Sequence, residues 1–105
     1  MHNDYRRYPR YSVNARALIT RRDESPPEKL TMQITTISQG GIGFYSNTFL
    51  GKSTAVTVEL LLDAVGRVDI LEGRIASICS HGKDYFVGIS FDKPISHDMF
   101  AAIFS

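Results

Sequence analysis

The sequence has few of the features that would assign it to a special class of protein. One cysteine, Cys79, and no tryptophan occur among its 105 residues. A single cysteine excludes an internal disulfide and a zinc site built from several cysteines; we expect Cys79 to be a small core residue. No apolar run approaches the roughly 18 residues of a membrane-spanning helix, and the opening MHNDYRRYPR is too polar for a signal peptide. These absences predict a cytoplasmic protein without membrane insertion.

The sequence also has little net charge. The formal charge is +1, whereas nucleic-acid-binding domains are more often strongly basic. A small barrel that binds single-stranded nucleic acid is therefore disfavoured, and we expect no nucleic-acid partner. No paired carboxylates, no nucleophile beside a base and no phosphate-binding loop are recognisable. The three histidines are scattered, which predicts no metal site. We therefore expect a protein that is not an enzyme.

Alternating apolar residues dominate the rest of the chain and predict β-strands. Such alternation, typical of half-buried strands, is clearest in three places: Val13, Ala15, Ala17 and Ile19; Val56, Val58, Leu60 and Leu62; and Tyr85, Val87, Ile89 and Phe91. Shorter or less regular strands are predicted at 30–37, 42–45 and 68–79, the last with a bulge at Gly73. Six short strands separated by regular turns predict a closed or nearly closed antiparallel barrel.

The two ends of the chain differ from this pattern. Residues 1–11 are polar, aromatic and basic, and we interpret them as an arm that precedes a single domain over 12–105. Near the other end, Ser96 can cap a short helix that contains Met99, Phe100, Ile103 and Phe104. That helix is apolar on one side, so it is expected to pack on the sheet.

Two short stretches carry the functional prediction. YRRYPRY places Arg6, Arg7 and Arg10 in the arm, and TTISQGGIGFYS places Ser38 beside Gly40 and Gly41. If the first two strands form an antiparallel hairpin around RRDESPPEK, residue 12 lies roughly opposite residue 38. The arginines then leave the barrel next to a turn with little side-chain bulk.

Such a place suits a flat anion. Arginine offers a planar fork of donors that pairs with phosphate or with the O6/N7 edge of guanine. Ser38 can donate or accept a hydrogen bond, and glycines let a backbone approach a ligand closely or satisfy a positive φ in a turn. A purine that carries phosphates would use all of these groups.

These residues resemble the PilZ domain family, the bacterial receptor modules for cyclic di-GMP. The family carries Arg-x-x-x-Arg in an N-terminal arm, which corresponds to Arg6 to Arg10 here. Its second motif, [Asp/Asn]-x-Ser-x-x-Gly, corresponds to 36–41, with Thr36 in place of Asp or Asn. The resemblance implies a six-stranded antiparallel β-barrel with a short C-terminal α-helix, in agreement with the strand count.

The resemblance also implies roles for these residues. Arg6 and Arg10 would bind guanine edges and phosphates, Arg7 would add charge or stacking, and Ser38 would bond a guanine edge. Gly40 and Gly41 would permit close approach. Thr36 has one hydroxyl where the family has a stronger acceptor.

Two functions therefore remain open. One is a cyclic di-GMP receptor that signals through a protein partner, in processes such as motility or biofilm formation, with ligand-linked dimerisation undecided. The other is a degenerate adaptor that binds proteins of a pilus, flagellar or other surface process without nucleotide.

Overall fold

The computed structural model describes residues 8–23, 25–62 and 66–104. Within these ranges the chain forms strands β1 (Tyr11–Arg21), β2 (Glu28–Ser38), β3 (Gly41–Ser46), β4 (Ala55–Leu62), β5 (Arg67–His81) and β6 (Asp84–Phe91), followed by helix α1 (His97–Ile103).

The six strands form a closed barrel in the order β1-β2-β3-β6-β5-β4. Every neighbouring pair is antiparallel, and β4 pairs back onto β1, with Ala17 opposite Leu60. Closure leaves no sheet edge with a long row of unpaired backbone groups. The predicted all-β fold, a six-stranded antiparallel barrel with a short C-terminal helix, is confirmed.

The barrel interior is filled by the alternating apolar residues. In β4, Val56, Val58, Leu60 and Leu62 are buried, and the residues between them are partly exposed. Burying each side chain of this size contributes about 1.5–3 kcal/mol. The same core includes buried residues from the other strands and from the segment after β3, among them Ile19, Ile34, Phe44, Leu50, Ile75 and Ile89.

The β1–β2 hairpin has nearly the register that the sequence predicts. Thr20 is opposite Lys29, and Ser12 is opposite Thr36 rather than residue 38. One residue of this difference is already present along the hairpin, and the register shift between Ser12 and Ala15 adds the other. The start of β1 still lies beside the end of β2.

Two further bulges change which face of the barrel a side chain occupies. In β2 the register against β3 shifts between Ile34 and Thr36. Ile34 and Ile37 are both buried in the core, three positions apart, so Thr36 faces outward. In β5 a similar shift against β6 lies between Ile75 and Ser77. Bulges re-aim side chains in this way and are frequent beside functional sites.

The structure corrects two expectations for β5. The bulge is not at Gly73, which instead lies in regular register opposite Phe91. A Cβ atom built at Gly73 would lie 2.5 Å from the carbonyl oxygen of Ser90, so the glycine permits a close backbone approach. Cys79, expected in the core, is exposed, because it lies near the end of β5, beyond the buried part of the strand.

Helix α1 begins at the predicted cap. The Oγ of Ser96 accepts a hydrogen bond from the Met99 backbone N–H at 3.1 Å. Met99, Phe100 and Ile103 are partly buried against the core. The Tyr11 ring, at the start of β1, packs 5.7 Å from the Phe100 ring, measured between ring centroids. The helix therefore covers the barrel end at which the arm joins it. No helix in the described ranges combines the length and hydrophobicity required to cross a membrane.

Candidate functional site

A shallow depression on the outer face of the barrel brings four of the predicted site residues together. Arg10, Thr36, Ser38 and Gly41 all line it. Its empty volume, including the open mouth, is about 290 Å³. The remaining described lining residues are Ile37, Ile42, Gly43, Ser77, Phe86 and Gly88.

The other predicted site residues are placed differently. Gly40 is buried in the turn that borders the depression and is not among its described lining residues. Arg6 and Arg7 lie outside the described residues, so their proposed contacts stay predictions.

The turn between β2 and β3 is hydrogen-bonded to the end of β6 and to the segment between β6 and α1. Ser38 Oγ accepts a hydrogen bond from the Gly40 N–H at 3.1 Å. The Gly40 carbonyl accepts from the Phe91 N–H at 2.9 Å, and the Gln39 carbonyl accepts from the Ile95 N–H at 2.7 Å. Ser38 therefore has a turn-forming role whatever else it contacts, and the rim of the depression is fixed at several points.

Positive φ angles do not explain the two glycines of this turn. Among the described glycines, positive φ occurs at Gly66 and Gly82. Gly41 is instead the first residue of β3, paired with Ser38 on one side and Ser90 on the other. Close approach is thus the better account of Gly41.

Three glycines form the floor of the depression: Gly41, Gly43 and Gly88. Gly41 and Gly43 alternate with Ile42 and Phe44, whose side chains are buried in the core, so both glycines face outward. Gly88 of β6 is paired directly with Gly43. These glycines add no side chain to the outer face of β3 and β6, although all three are themselves buried by their neighbours.

Thr36 forms one wall of the depression. It is paired with Gly43, and a Cβ atom at Gly43 would lie 2.6 Å from Thr36 Oγ1. Phe86 forms the opposite wall, since its Cζ would lie 2.8 Å from the same Cβ position. The two side chains thus lean over the glycine from either side.

The charge of the depression suits an anion. Arg10 is the charged residue among its described lining residues. The other polar side chains are the hydroxyls of Thr36, Ser38 and Ser77. A guanidinium beside hydroxyls can bind phosphate or a polar base edge. In the described part of the chain, no group of three or more His, Cys, Asp or Glu is placed to hold a metal ion.

Sequence reasoning did not predict six of the described lining residues: Ile37, Ile42, Gly43, Ser77, Phe86 and Gly88. The spacing of Gly41 and Gly43 by two gave one signal, since residues two apart share a strand face. The pairing of β3 with β6, which joins strands distant in sequence, is what brings Phe86 and Gly88 to the site.

The comparisons with known proteins agree with this fold. The chain matches the PilZ domain over residues 4–104, and it belongs to the PilZ domain family. Domains of this family are binding or adaptor domains rather than enzymes. A comparison with curated protein sequences finds none that matches the chain.

Among solved structures, the chain is similar to the Bacillus subtilis inhibitor of motility, MotI/DgrA. The TM-score is 0.70 at 12% sequence identity, and the match covers 98% of this chain and 48% of that one. The chain thus spans about half the length of that protein. At this identity the likeness shows the fold alone.

Proposed function

We propose that this PilZ domain is a receptor for cyclic di-GMP, which binds in the depression and signals to a protein partner. The observation that carries the proposal is the meeting of Arg10, Thr36, Ser38 and Gly41 in one depression. These residues come from the two motifs that are separated in the sequence.

The chemistry of the depression supports an anionic, planar ligand. Arg10 is exposed at the rim and can direct its fork of donors to a phosphate or to the O6/N7 edge of a guanine. Gly41, Gly43 and Gly88 add no side chains to the depression, so a flat base can approach Thr36 and Phe86 closely. Arg6 and Arg7 would complete the cationic side from the arm.

Thr36 decides how tightly such a ligand binds. A carboxylate at this position would accept hydrogen bonds from the N1 and N2 donors of guanine, whereas threonine provides one neutral hydroxyl. A hydrogen bond to a charged group contributes about 1.5–3 kcal/mol, which corresponds to roughly tenfold to hundredfold in affinity. We therefore expect the affinity to be weaker than in domains that have Asp or Asn here.

Isothermal titration calorimetry with cyclic di-GMP tests the proposal. The wild-type protein is compared with the Arg10→Ala variant and with an Arg22→Ala control. Arg22 is also an exposed arginine, but it follows the far end of β1 and pairs with Glu72 at 3.2 Å. Surface pairs of this kind contribute about 0–1 kcal/mol, so the control removes the same charge at little cost to the fold.

The expected result is binding in the wild type and in Arg22→Ala, with at least tenfold weaker binding or none in Arg10→Ala. Equal binding by Arg10→Ala and wild type would contradict the proposed site. No heat with the wild type would contradict the receptor function itself.

The second candidate is an adaptor that binds a protein without nucleotide, and Thr36 is the observation that favours it. This function predicts no heat on titration with cyclic di-GMP. It also predicts a partner, recovered on the immobilised domain, whose retention is unchanged by the nucleotide. Retention that requires the nucleotide would exclude the adaptor and support the receptor.

Both candidate functions predict the same wider role. A small binding domain acts through another molecule, and we propose a protein partner in a motility, biofilm or other surface process. We also propose that it acts in the cytoplasm, as the sequence predicts. Ligand-linked dimerisation is checked by sedimentation with and without the nucleotide.

A further inference from the structure

A row of aromatic side chains continues the depression along the outer face of the barrel. This aromatic row consists of Phe86, Tyr45 and His81. The Tyr45 ring centroid lies 4.9 Å from that of Phe86 in an edge-to-face arrangement. On its other side it lies 5.0 Å from the ring centroid of His81. Tyr45 is 46% exposed although it lies within β3.

The aromatic row and the depression are one continuous surface. Phe86 belongs to both, since it lines the depression and contacts Tyr45. Gly43 and Tyr45 lie two residues apart on the same face of β3, a separation of about 6.6 Å. A planar base lying against Phe86 would therefore have the Tyr45 ring beside it.

The size of the depression makes this neighbouring surface relevant. The space inside it is about 20 Å³, far below the volume of about 300–1,000 Å³ that ligand sites enclose. Cyclic di-GMP has two guanine bases and two phosphates. Most of such a ligand must therefore lie on the surface that adjoins the depression.

We infer that the aromatic row is a stacking subsite for the second guanine of the dinucleotide. The inference rests on the proposed receptor function and deepens it. Any nucleic-acid base can stack on an aromatic side chain, because every base has a flat π face. The row is held rigid because Tyr45 and Phe86 are paired across β3 and β6, so little freedom is lost when a base binds.

Stability of the barrel accounts for only part of the aromatic row. Edge-to-face packing between Tyr45 and Phe86 stabilises the pairing of β3 with β6. Tyr45 nevertheless remains 46% exposed, so a large part of its ring is available to a ligand. An exposed aromatic beside a binding depression is better explained by contact with a ligand.

Calorimetry with cyclic di-GMP on Tyr45 variants provides the first test. Stacking on an aromatic side chain contributes about 1–3 kcal/mol per base, so Tyr45→Ala should bind roughly fivefold to a hundredfold more weakly. Tyr45→Phe keeps the ring and should bind within about twofold of the wild type. Phe49→Ala is the matched control, because Phe49 is 58% exposed and its ring contacts Tyr85 outside the aromatic row.

Fluorescence provides a second readout that does not depend on the alanine variant folding well. The chain has no tryptophan, so the Tyr45→Trp variant contains a single one at the proposed stacking position. We expect cyclic di-GMP to bind this variant as tightly as the wild type or more tightly, and to quench its tryptophan emission. In a Tyr45→Trp/Arg10→Ala variant, the quenching should require much higher nucleotide concentrations.

The outcomes separate this inference from the receptor function. Equal binding by Tyr45→Ala and wild type, or no quenching of the tryptophan on saturation, would overturn the stacking subsite while the receptor function stands. Weaker binding by Phe49→Ala and Tyr45→Ala alike would also overturn it, because the effect would then not be specific to the aromatic row. No binding by the wild type would overturn both.

Discussion

Thr36 and Gly43 are paired across β2 and β3 with so little space between them that a methyl group at Gly43 would lie 2.6 Å from Thr36 Oγ1. The same methyl group would lie 2.8 Å from Phe86 Cζ. Glycine at this position therefore keeps the floor of the depression open. The floor, the Thr36 wall and the Phe86 wall depend on one another.

Gly43→Ala should abolish or strongly weaken cyclic di-GMP binding while the domain stays folded. The added methyl group would lie too close to Thr36 Oγ1 and Phe86 Cζ, so both side chains must shift, and they would shift toward the space that a ligand needs. Calorimetry measures the binding and thermal unfolding checks the fold. Gly51→Ala is the control, since its Cβ would lie 3.3 Å from Thr54 Oγ1, away from the depression. Unchanged binding by Gly43→Ala would show that the ligand does not lie on this floor.

Thr36→Asp should strengthen cyclic di-GMP binding. The carboxylate supplies the charged acceptor that threonine lacks, and a hydrogen bond to it contributes about 1.5–3 kcal/mol, or roughly tenfold to hundredfold in Kd. Thr36→Val has the shape of threonine without its hydroxyl and should bind more weakly than the wild type. If Thr36→Asp bound no better than the wild type, the base edge would not lie at position 36.

Gly73→Ala should destabilise the barrel without entering the site. A Cβ atom there would lie 2.5 Å from the Ser90 carbonyl oxygen and 3.3 Å from Phe91 Cα, and both are backbone atoms that cannot rotate away. Overpacking of this kind costs about 1–3 kcal/mol. Each kcal/mol lowers Tm by about 4–8 °C in a domain of this size, which thermal denaturation can resolve against Gly51→Ala. A Tm within about 2 °C of the wild type would contradict this prediction, because it would mean that β5 and β6 can move apart far enough to accommodate the methyl group at little cost.

Tyr11 should couple the arm to helix α1. Its ring centroid lies 5.7 Å from that of Phe100 and 5.5 Å from that of Phe104, and each such ring pair contributes about 0.5–1.5 kcal/mol. Tyr11→Ala should therefore speed hydrogen exchange of the α1 amides, whereas Tyr11→Phe, which keeps the ring, should not.

The same contact predicts that cyclic di-GMP slows hydrogen exchange of the α1 amides. Tyr11 directly follows Arg10, so a ligand that orders Arg10 also restrains Tyr11 and, through its ring contacts, the helix. Protection of α1 by the nucleotide in the wild type, but not in Tyr11→Ala, would support this path. Equal protection in both proteins would exclude it.

The class of fold and four of the ten described lining residues of the depression could be predicted from the sequence. Strict alternation in segments such as 56–62 can satisfy only a strand with one buried face. The cap at Ser96 is equally local, because a side chain and a backbone amide three residues apart decide it. Arg10, Ser38 and Gly41 were found because the β1–β2 hairpin is the simplest long-range contact, with a register set by the chain between its strands.

The tertiary structure was needed to determine which strand faces and which distant strands complete the site. The bulge between Ile34 and Thr36 turns Thr36 outward, and no local signal marks it, since apolar residues stay in phase over part of β2 with or without the bulge. Gly88 and Phe86 reach the depression through the pairing of β3 with β6. That pairing joins residues 39 to 49 positions apart, and barrel closure selects it because every strand must find two partners.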